Sequence, residues 1–252
     1  MKFISGKIAD KVNEFYSSGE IVASNFLEPS EVIEVRGTLK NTPFVLYGGF
    51  ENAERKVIFV GADDGFENFN KYISVIRLSS NAELSHRNVL GSILGLGIKR
   101  EMLGDILIDD NICDIIVLKS VVEFLLCNLK YVGREKVSVK EVPIDELIKL
   151  KENFKEIYAS VSSLRIDSII SAGFGISREK SAEAVKSELV KVNFILVKGP
   201  AKAVCCGDVI SVRGKGRLEI AEVGGVTKSG RQRVLILKKI WSFENGVMLF
   251  LH

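Results

Sequence analysis

Residues 173–185, GFGISREKSAEAV, combine a predicted helix start with cations in the first turn of that helix. Ser177 is suited to the N-cap, because its hydroxyl oxygen accepts a hydrogen bond from a free backbone N–H group. Arg178 and Lys180 follow, although the helix dipole makes cations unfavourable at this end. A bound anion would remove the conflict, since free N–H groups and both cations would hold it together. The alternative is that the two side chains are only solvated.

Further cations stand at the predicted ends of neighbouring elements, as expected for a surface that follows a phosphate backbone. The turn GKGR at 214–217 is rich in glycine, which lets a backbone approach a phosphate group closely. Solvated cations, which any basic domain carries, would give the same pattern, and the residues alone leave both interpretations open. The cations at these element ends, which we add as candidate RNA-binding residues, are Arg165, Lys186, Lys191, Lys198, Arg213, Lys215 and Arg217.

The distribution of charge favours a polyanion partner for the same part of the chain. Residues 1–159 hold 20 Lys and Arg against 24 Asp and Glu, whereas residues 160–252 hold 15 against 8. A basic C-terminal third on a slightly acidic body is typical of a protein that binds nucleic acid through that third.

The elements that would position the cations follow from hydrophobic periodicity. The C-terminal segment predicts a short helix ended by Gly173, a second helix after Ser177, and strands at 190–197, 208–214, 217–223 and 233–241. Upstream, strands at 73–79, 105–108, 113–118 and 136–142 and helices at 86–97 and 121–129 give the order β-α-β-β-α-β. That order is typical of a ferredoxin-like domain. Residues 143–154, PIDELIKLKENF, predict a helix with Pro143 in its first turn.

The C-terminal pattern resembles the S4 RNA-binding domain, over residues 163–197 and then GDVISVRGKGRLEI at 207–220. Glu188 and Phe194 stand where that domain usually has glycine. The resemblance implies that the two-helix face grips structured RNA and adds Ser177 and Asn193 to the RNA-binding set. The matching positions are Arg165, Asp167, Gly173, Ser177, Arg178, Ala182, Val190, Val192, Asn193, Gly207, Asp208 and Ile210.

Two further stretches, GGFENAERK at 48–56 and HRNVLGSILGLGIKREMLGDILI at 86–108, make nearly the whole chain similar to the bacterial YlmH family. The resemblance implies a non-catalytic protein that binds the RNA of the large ribosomal subunit in ribosome-associated quality control, where a nascent chain receives an untemplated tail. Peptidyl-tRNA and quality-control proteins are further candidate partners. We expect a cytoplasmic monomer without cofactor or membrane contact.

The predicted fold class is therefore α+β with three domains. They are an N-terminal α/β domain at 1–70, a ferredoxin-like domain at 71–142 and, after a linker helix at 143–160, an S4-type domain at 161–240 with a tail at 241–252.

The middle domain offers a candidate second RNA patch, formed by His86, Arg87, Lys99 and Arg100 at the ends of a predicted helix. The alternative is that Lys99 and Arg100 form a solvated turn and that His86 is structural. The predicted strands ISVIRLS and CDIIVL contain no aromatic residue, so we expect no stacking of RNA bases on this sheet.

Two other functions compete with this interpretation. S4-type domains are often attached to RNA-modifying enzymes of the pseudouridine synthase type, and Arg165-Ile166-Asp167 loosely matches their catalytic signature. A protein-interaction adaptor, for instance in cell division, would suit the acidic N-terminal part. Two histidines and no paired Cys/His spacing make a metal enzyme a poor fit, and the four cysteines indicate free thiols.

Overall fold

The computed structural model describes residues 2–39, 41–148, 151–242 and 248–249. The chain forms two compact units, residues 1–149 and residues 150–252. The boundary predicted at residue 70 therefore does not separate compact units, since the N-terminal part and the middle part fold together. The elements of the first unit are, in chain order, α1 Lys2–Ser18, β1 Val22–Ala23, α2 Pro29–Val35, β2 Phe44–Tyr47, β3 Val57–Val60, β4 Ile73–Ser80, α3 His86–Gly95, β5 Leu103–Asp109, β6 Ile112–Leu118, α4 Val122–Asn128, β7 Tyr131–Val132 and β8 Glu135–Val142.

The N-terminal part of this unit is a small three-stranded sheet of order β1-β3-β2 with antiparallel neighbours. All four residues of β3 are buried, which agrees with a short strand of apolar, largely β-branched residues in the centre of a sheet. Ile8 of α1 and Val35 of α2 belong to the same apolar cluster as Ile58 and Val60 of β3.

The middle part has a five-stranded antiparallel sheet of order β5-β6-β4-β8-β7. Its major strands and its two helices lie in the order β-α-β-β-α-β, with bounds within two residues of the sequence prediction. Helix α3 lies against β5, and α4 lies against β8.

The central strands of this sheet are buried on both faces. Residues 113–117 of β6 are all buried, although alternate side chains of a strand point to opposite faces. Gly49, in the left-handed region at φ 99°, lies so close to Ile116 that a Cβ atom would crowd that side chain. Phe26 packs beside Gly104 in the same way. The N-terminal part therefore covers the sheet face that α3 and α4 leave open.

A buried ion pair ties the end of the first unit to this sheet. The Asp114 carboxylate on β6 is fully buried and accepts two hydrogen bonds of 2.7 Å from the Arg77 guanidinium on β4. It also accepts a hydrogen bond of 2.8 Å from the backbone N–H of Ile148, and Arg77 donates to the carbonyl oxygen of Glu146 at 2.6 Å. Residues 146–148 are thereby held against the central strands.

The second unit contains two helices and the remaining strands. They are β9 Lys151–Val161, α5 Ile166–Phe174, α6 Arg178–Lys186, β10 Val190–Val192, β11 Ile195–Leu196, β12 Val209–Val212, β13 Gly216–Val226, β14 Gln232–Ser242 and β15 Met248–Leu249. The sheet order is β11-β10-β12-β13-β14-β15, with β9 also paired to β14. One apolar cluster joins Ile169 and Ile170 of α5 to Ile210, Leu218 and Ile236 of the strands. A Cβ at Gly173 would overlap Leu218, so this glycine allows α5 to lie directly on the sheet.

The prediction of a linker helix at 143–160 is wrong. Residues Ile144–Glu146 form a single 3-10 turn, and Lys151–Val161 form strand β9, which pairs with β14 along its whole length. The reason lies in the spacing of Ile157, Ala159 and Val161, which alternate toward the apolar cluster with the period of a strand. Pairing with a distant strand outweighs the local helical pattern. Residues 149–150 of the predicted linker lie outside the described residues.

The predicted C-terminal tail at 241–252 contains strand residues. Trp241 and Ser242 of β14 pair with Leu249 and Met248 of β15. Residues 243–247 and 250–252 lie outside the described residues. No helix in the described part of the chain is long and apolar enough to cross a membrane.

The Arg77–Asp114 pair yields a test of stability. Asp114→Asn should lower the free energy of unfolding of the first unit by about 3 kcal/mol, because it leaves a guanidinium in the interior without its counter-charge. Urea unfolding, with amide protection of β4 and β6 as the probe, measures the change. Asp110→Asn is the matched control, since Asp110 is exposed in a turn at φ 55°, which asparagine tolerates. Equal stability of the two variants would contradict the structural role of the pair.

Candidate nucleic-acid interface

Helix α6 begins as the sequence predicts, with Ser177 as its N-cap. The Ser177 hydroxyl accepts a hydrogen bond of 3.2 Å from the backbone N–H of Lys180. The buried Ser181 hydroxyl donates to the Ser177 carbonyl oxygen at 3.0 Å, one turn further on. The cap thus occupies one of the N–H groups that could have bound an anion.

Arg178, the first of the two cations that the helix dipole disfavours, has a partner within the protein. Arg178 donates to both carboxylate oxygens of Asp167 on α5, at 3.2 and 3.4 Å. Arg165 donates to the same two oxygens at 2.9 and 3.2 Å. One carboxylate therefore serves two guanidinium groups, and the three groups together keep a positive charge.

Burial and hydrogen bonding act on Asp167 in opposite directions. Burial of the carboxyl, whose side chain is 6% exposed, raises its pKa. Hydrogen bonds from Arg165 and Arg178 outweigh that effect and leave the pKa of Asp167 below its usual value. The Arg178 side chain, in contrast, is 50% exposed, so the excess positive charge faces solvent.

The N-terminus of α5 lies beside this cluster and is closed by the protein itself. The backbone N–H groups of Ile166 and Asp167 donate to the carbonyl oxygens of Lys202 and Pro200, at 3.0 and 3.3 Å. An anion at the start of α5 must therefore be bound by side chains more than by free N–H groups. The exposed Lys202 comes to this corner through its loop, and no helix or turn motif in the sequence pointed to it.

The predicted cations divide into two groups at opposite ends of α6. Arg165, Arg178 and Lys180 lie at its N-terminal end with the cap Ser177. Nine helical residues separate that end from the other, a rise of about 12 Å. Backbone contacts between β10 and β12 bring the second group together. Lys191 pairs with Ser211, and the Arg213 N–H donates to the Leu189 carbonyl oxygen at 2.8 Å. This second group comprises Lys186, Lys191, Lys198, Arg213, Lys215 and Arg217.

Some members of the second group have internal partners. Lys198 forms an ion pair of 3.1 Å with Glu188, although both side chains are mainly exposed. Arg217 donates to the Ser211 hydroxyl at 3.2 Å and lies over the Phe194 ring, 5.3 Å from its centroid. Lys186 and Arg213 are exposed and lie close to the ends of their elements.

Asn193 has a structural task in the turn between β10 and β11. Its amide NH₂ donates to the Asp208 carboxylate at 2.8 Å, and its amide oxygen accepts from the Val209 N–H at 2.9 Å. Both contacts lie within the protein, and the RNA contact expected of this exposed side chain stays a prediction. Glu188 and Phe194 adopt φ 58° and 66°, so the chain keeps the left-handed turns without the usual glycines. Such a conformation costs a non-glycine residue about 1–2 kcal/mol.

The predicted middle patch is only partly a cationic surface. His86 is half-buried, and burial together with the nearby Arg100 charge lowers its pKa, which disfavours the cationic form. Arg100 donates to the carbonyl oxygens of Leu103 and Gly104, at 2.9 and 3.1 Å. Burial, reinforced by the nearby Arg55 charge, lowers the pKa of Arg100 to about 10. Arg87 and Lys99 alone of the four are exposed.

Arg55, which the sequence analysis missed, holds the neighbouring segments in place. Its buried guanidinium donates to the carbonyl oxygens of Leu103 and Phe26, at 2.9 and 3.2 Å, and pairs with Glu28 at 3.3 Å. The motif GGFENAERK is thus structural where it meets β5, since the Asp105 carboxylate accepts its N–H groups at 54 and 55. In the sequence, the one feature that pointed to this structural role of Arg55 was its place in the motif.

A cavity of about 620 Å³ lies beside these residues. Its walls carry charges of both signs, and Lys7 pairs there with Glu101 at 2.8 Å. Such compensated walls do not favour a polyanion. Among the described residues, no cluster of three or more His, Cys, Asp or Glu side chains is arranged for a metal ion.

Comparison with known proteins identifies the family. Residues 66–146 match a family model described as "Putative RNA-binding domain in YlmH". A Bacillus subtilis (strain 168) protein named "Ribosome-associated protein quality control protein P2" is 30% identical over 226 residues, which cover 84% of each chain. The chain belongs to the YlmH family. A solved structure titled "Cell division protein ylmH from Streptococcus pneumoniae" shares the fold, with a TM-score of 0.52 and 23% identity over 58% of this chain and 93% of that chain.

The shared carboxylate in this YlmH family member predicts a pH effect. Ionised Asp167 stabilises the fold fully above the pKa of an unfolded aspartate, about 3.9, and that stability is lost as pH falls through the lower folded-state pKa. Arg178→Gln should raise the pKa of Asp167 and move the loss to higher pH. NMR titration of the carboxyl carbon measures the pKa. Lys180→Gln is the control, and an equal shift in both variants would contradict a direct Arg178–Asp167 interaction.

Proposed function

We propose that this chain is a non-catalytic protein that binds the RNA of the large ribosomal subunit in ribosome-associated quality control. The carrying observation is the buried Asp167 carboxylate shared by Arg165 and Arg178, which leaves uncompensated positive charge at the solvent-facing N-terminus of α6. The name of the Bacillus subtilis relative supports the ribosomal context. We propose peptidyl-tRNA, next to the bound rRNA, as a further contact. We also propose that the protein acts as a monomer in the cytoplasm.

The geometry favours the backbone of a folded RNA over a small anion. The Ser177 cap uses one N–H group of α6, and the loop at residues 200–202 uses the first two of α5. The cations instead lie at two places along α6, about 12 Å apart. Phosphate contacts of this kind supply affinity and orientation, whereas the shape of the RNA supplies selectivity.

We also propose that residues 161–240 form an S4-type domain and residues 71–142 a ferredoxin-like domain. The sheet order β5-β6-β4-β8 supports the second assignment, since it places the first and third strands in the centre. The first unit would contribute a weaker contact through Arg87 and Lys99, because both are exposed and flank α3 within the matched RNA-binding region. Base stacking on its sheet is disfavoured, because the central strands are buried.

An RNA-modifying enzyme of the pseudouridine synthase type is less well supported. Such a role would use Asp167 as a nucleophile toward a base, which requires an accessible carboxylate. Both oxygens of Asp167 instead accept hydrogen bonds from guanidinium groups, and the side chain is 6% exposed. An assay for modified nucleotides with purified protein would test the alternative.

Charge reversal at the start of α6 tests the proposed function. Arg178→Glu and Lys180→Glu should each lower the affinity for purified large ribosomal subunits about tenfold and reduce the salt dependence of binding. Co-sedimentation at several salt concentrations measures both quantities, and circular dichroism checks the fold. Lys180 matters here because its exposed side chain does not pair with Asp167, so its replacement leaves the carboxylate cluster intact.

Lys136→Glu is the matched control, because it makes the same charge change at an exposed position of β8 in the other unit. Unchanged binding of both α6 variants would overturn the role of this corner. Modification of RNA by the purified protein would overturn the non-catalytic assignment.

A further inference from the structure

The turn between β13 and β14 lies in a basic segment of the second unit that is outside the predicted site. Residues 223–236, VGGVTKSGRQRVLI, contain Lys228, Arg231 and Arg233 and no acidic residue. These residues come after the segments that resemble the S4 domain, so neither the motif nor its matched positions pointed to them. The turn itself consists of Thr227–Arg231, between the end of β13 and the start of β14.

Hydrogen bonds hold this turn in one conformation. The Thr227 N–H donates to the Arg231 carbonyl oxygen at 2.8 Å, and the Gly230 N–H donates to the Thr227 carbonyl oxygen at 2.9 Å. The Thr227 hydroxyl also accepts from the Arg231 N–H at 3.0 Å. Gly230 takes φ 76°, which closes the turn. A braced turn loses little conformational entropy when it binds a partner.

The turn and the α6 corner both contact residues 160–162, the last two residues of β9 and the one that follows. The Arg231 guanidinium donates to the Ser160 carbonyl oxygen, at 3.0 Å from Nε. The Arg178 guanidinium approaches the Ser162 hydroxyl at 3.4 Å. Ser160 and Ser162 are two residues apart, so Arg231 and Arg178 contact neighbouring points of the same segment.

This arrangement gathers like charges on one strip. Arg165, Arg178 and Arg231 lie around residues 160–167, and Asp167 is already shared between the first two. Two acidic residues lie near the strip, since Glu179 is exposed in the first turn of α6 and Glu222 is exposed on β13, five residues before the turn. Lys228 extends the strip at the tip of the turn, and in the described part of the chain its side chain has no hydrogen bond or ion pair. Neighbouring cations repel one another unless an anion lies between them.

We propose that the turn at residues 227–231 is a second phosphate-binding point, which contacts the RNA backbone beside the phosphate group held by Arg178. The inference rests on the proposed function and extends it to an element that no motif match includes. The partner is the sugar-phosphate backbone of a folded RNA, because the exposed cations Arg178 and Lys228 are spread along a strip and not gathered around a single point.

Lys228→Ala tests this inference in the full chain, with purified large ribosomal subunits as the probe. Removal of one phosphate contact should reduce the slope of log affinity against log salt by about one and weaken binding several-fold. Lys136→Ala, with the same loss of charge in the other unit, should leave the slope unchanged. Since Lys228 is exposed at the tip of a turn, its truncation removes no packing.

The outcomes separate the two proposals. A reduced slope for Lys228→Ala, with the control unchanged, supports the second binding point. Weakened binding of Lys180→Glu with an unchanged slope for Lys228→Ala overturns the second point and leaves the proposed function standing. Absence of any binding by the unmodified protein overturns both. Equal losses for Lys228→Ala and Lys136→Ala would also overturn the inference, because they would indicate an effect of net charge alone.

Discussion

The sharing of one buried carboxylate by two guanidinium groups is the constraint on which the C-terminal surface depends. Asp167 fixes Arg165 and Arg178 against the starts of α5 and α6, and it does so from the first turn of α5, where a negative charge suits the helix dipole. A single carboxylate compensates one cation, so the second charge remains at the surface. The interior thus pre-organises a cationic corner whose geometry is set before any partner arrives.

In the first unit, the main constraint is that both faces of the five-stranded sheet are buried. Helices cover one face, and the N-terminal part covers the other through Phe26 and Gly49. Arg55 and Arg77 are therefore used inside the protein, where they bind backbone carbonyl oxygens and carboxylates. A cation in the sequence of this unit is consequently weaker support for RNA binding than one in the second unit.

Much of this arrangement could be predicted from sequence, for physical reasons that differ by element. The order of strands and helices at 73–142 was predictable because strongly periodic apolar runs are separated by clear turns. The Ser177 cap was predictable because its signal is local. Strand β9 was not, because its conformation depends on pairing with β14, about eighty residues away.

Individual side-chain roles were harder to predict than elements. Several cations of the second unit were named from the sequence, but their internal partners were not, since Asp167 and Arg178 are eleven residues apart and meet only through the packing of two helices. Arg100 and His86 were predicted as members of a cationic patch, although both are half-buried and Arg100 donates to backbone carbonyl oxygens. The left-handed residues Glu188 and Phe194 show that backbone geometry persists after the glycines that usually permit it are gone.

The pairing of β9 with β14 has a consequence for how the second unit forms during synthesis. Lys151 lies opposite Ser242, so the first strand of the unit finds its partner only when almost the whole unit has been translated. The helix pair α5 and α6, whose contacts are local, is able to form early, whereas the sheet edge closes last. Until then Ile157 and Val161 lack the strand that shields them. The proposed cationic strip includes α6 and the β13–β14 turn, which both contact the end of β9. The strip is therefore completed late in the folding of the nascent chain.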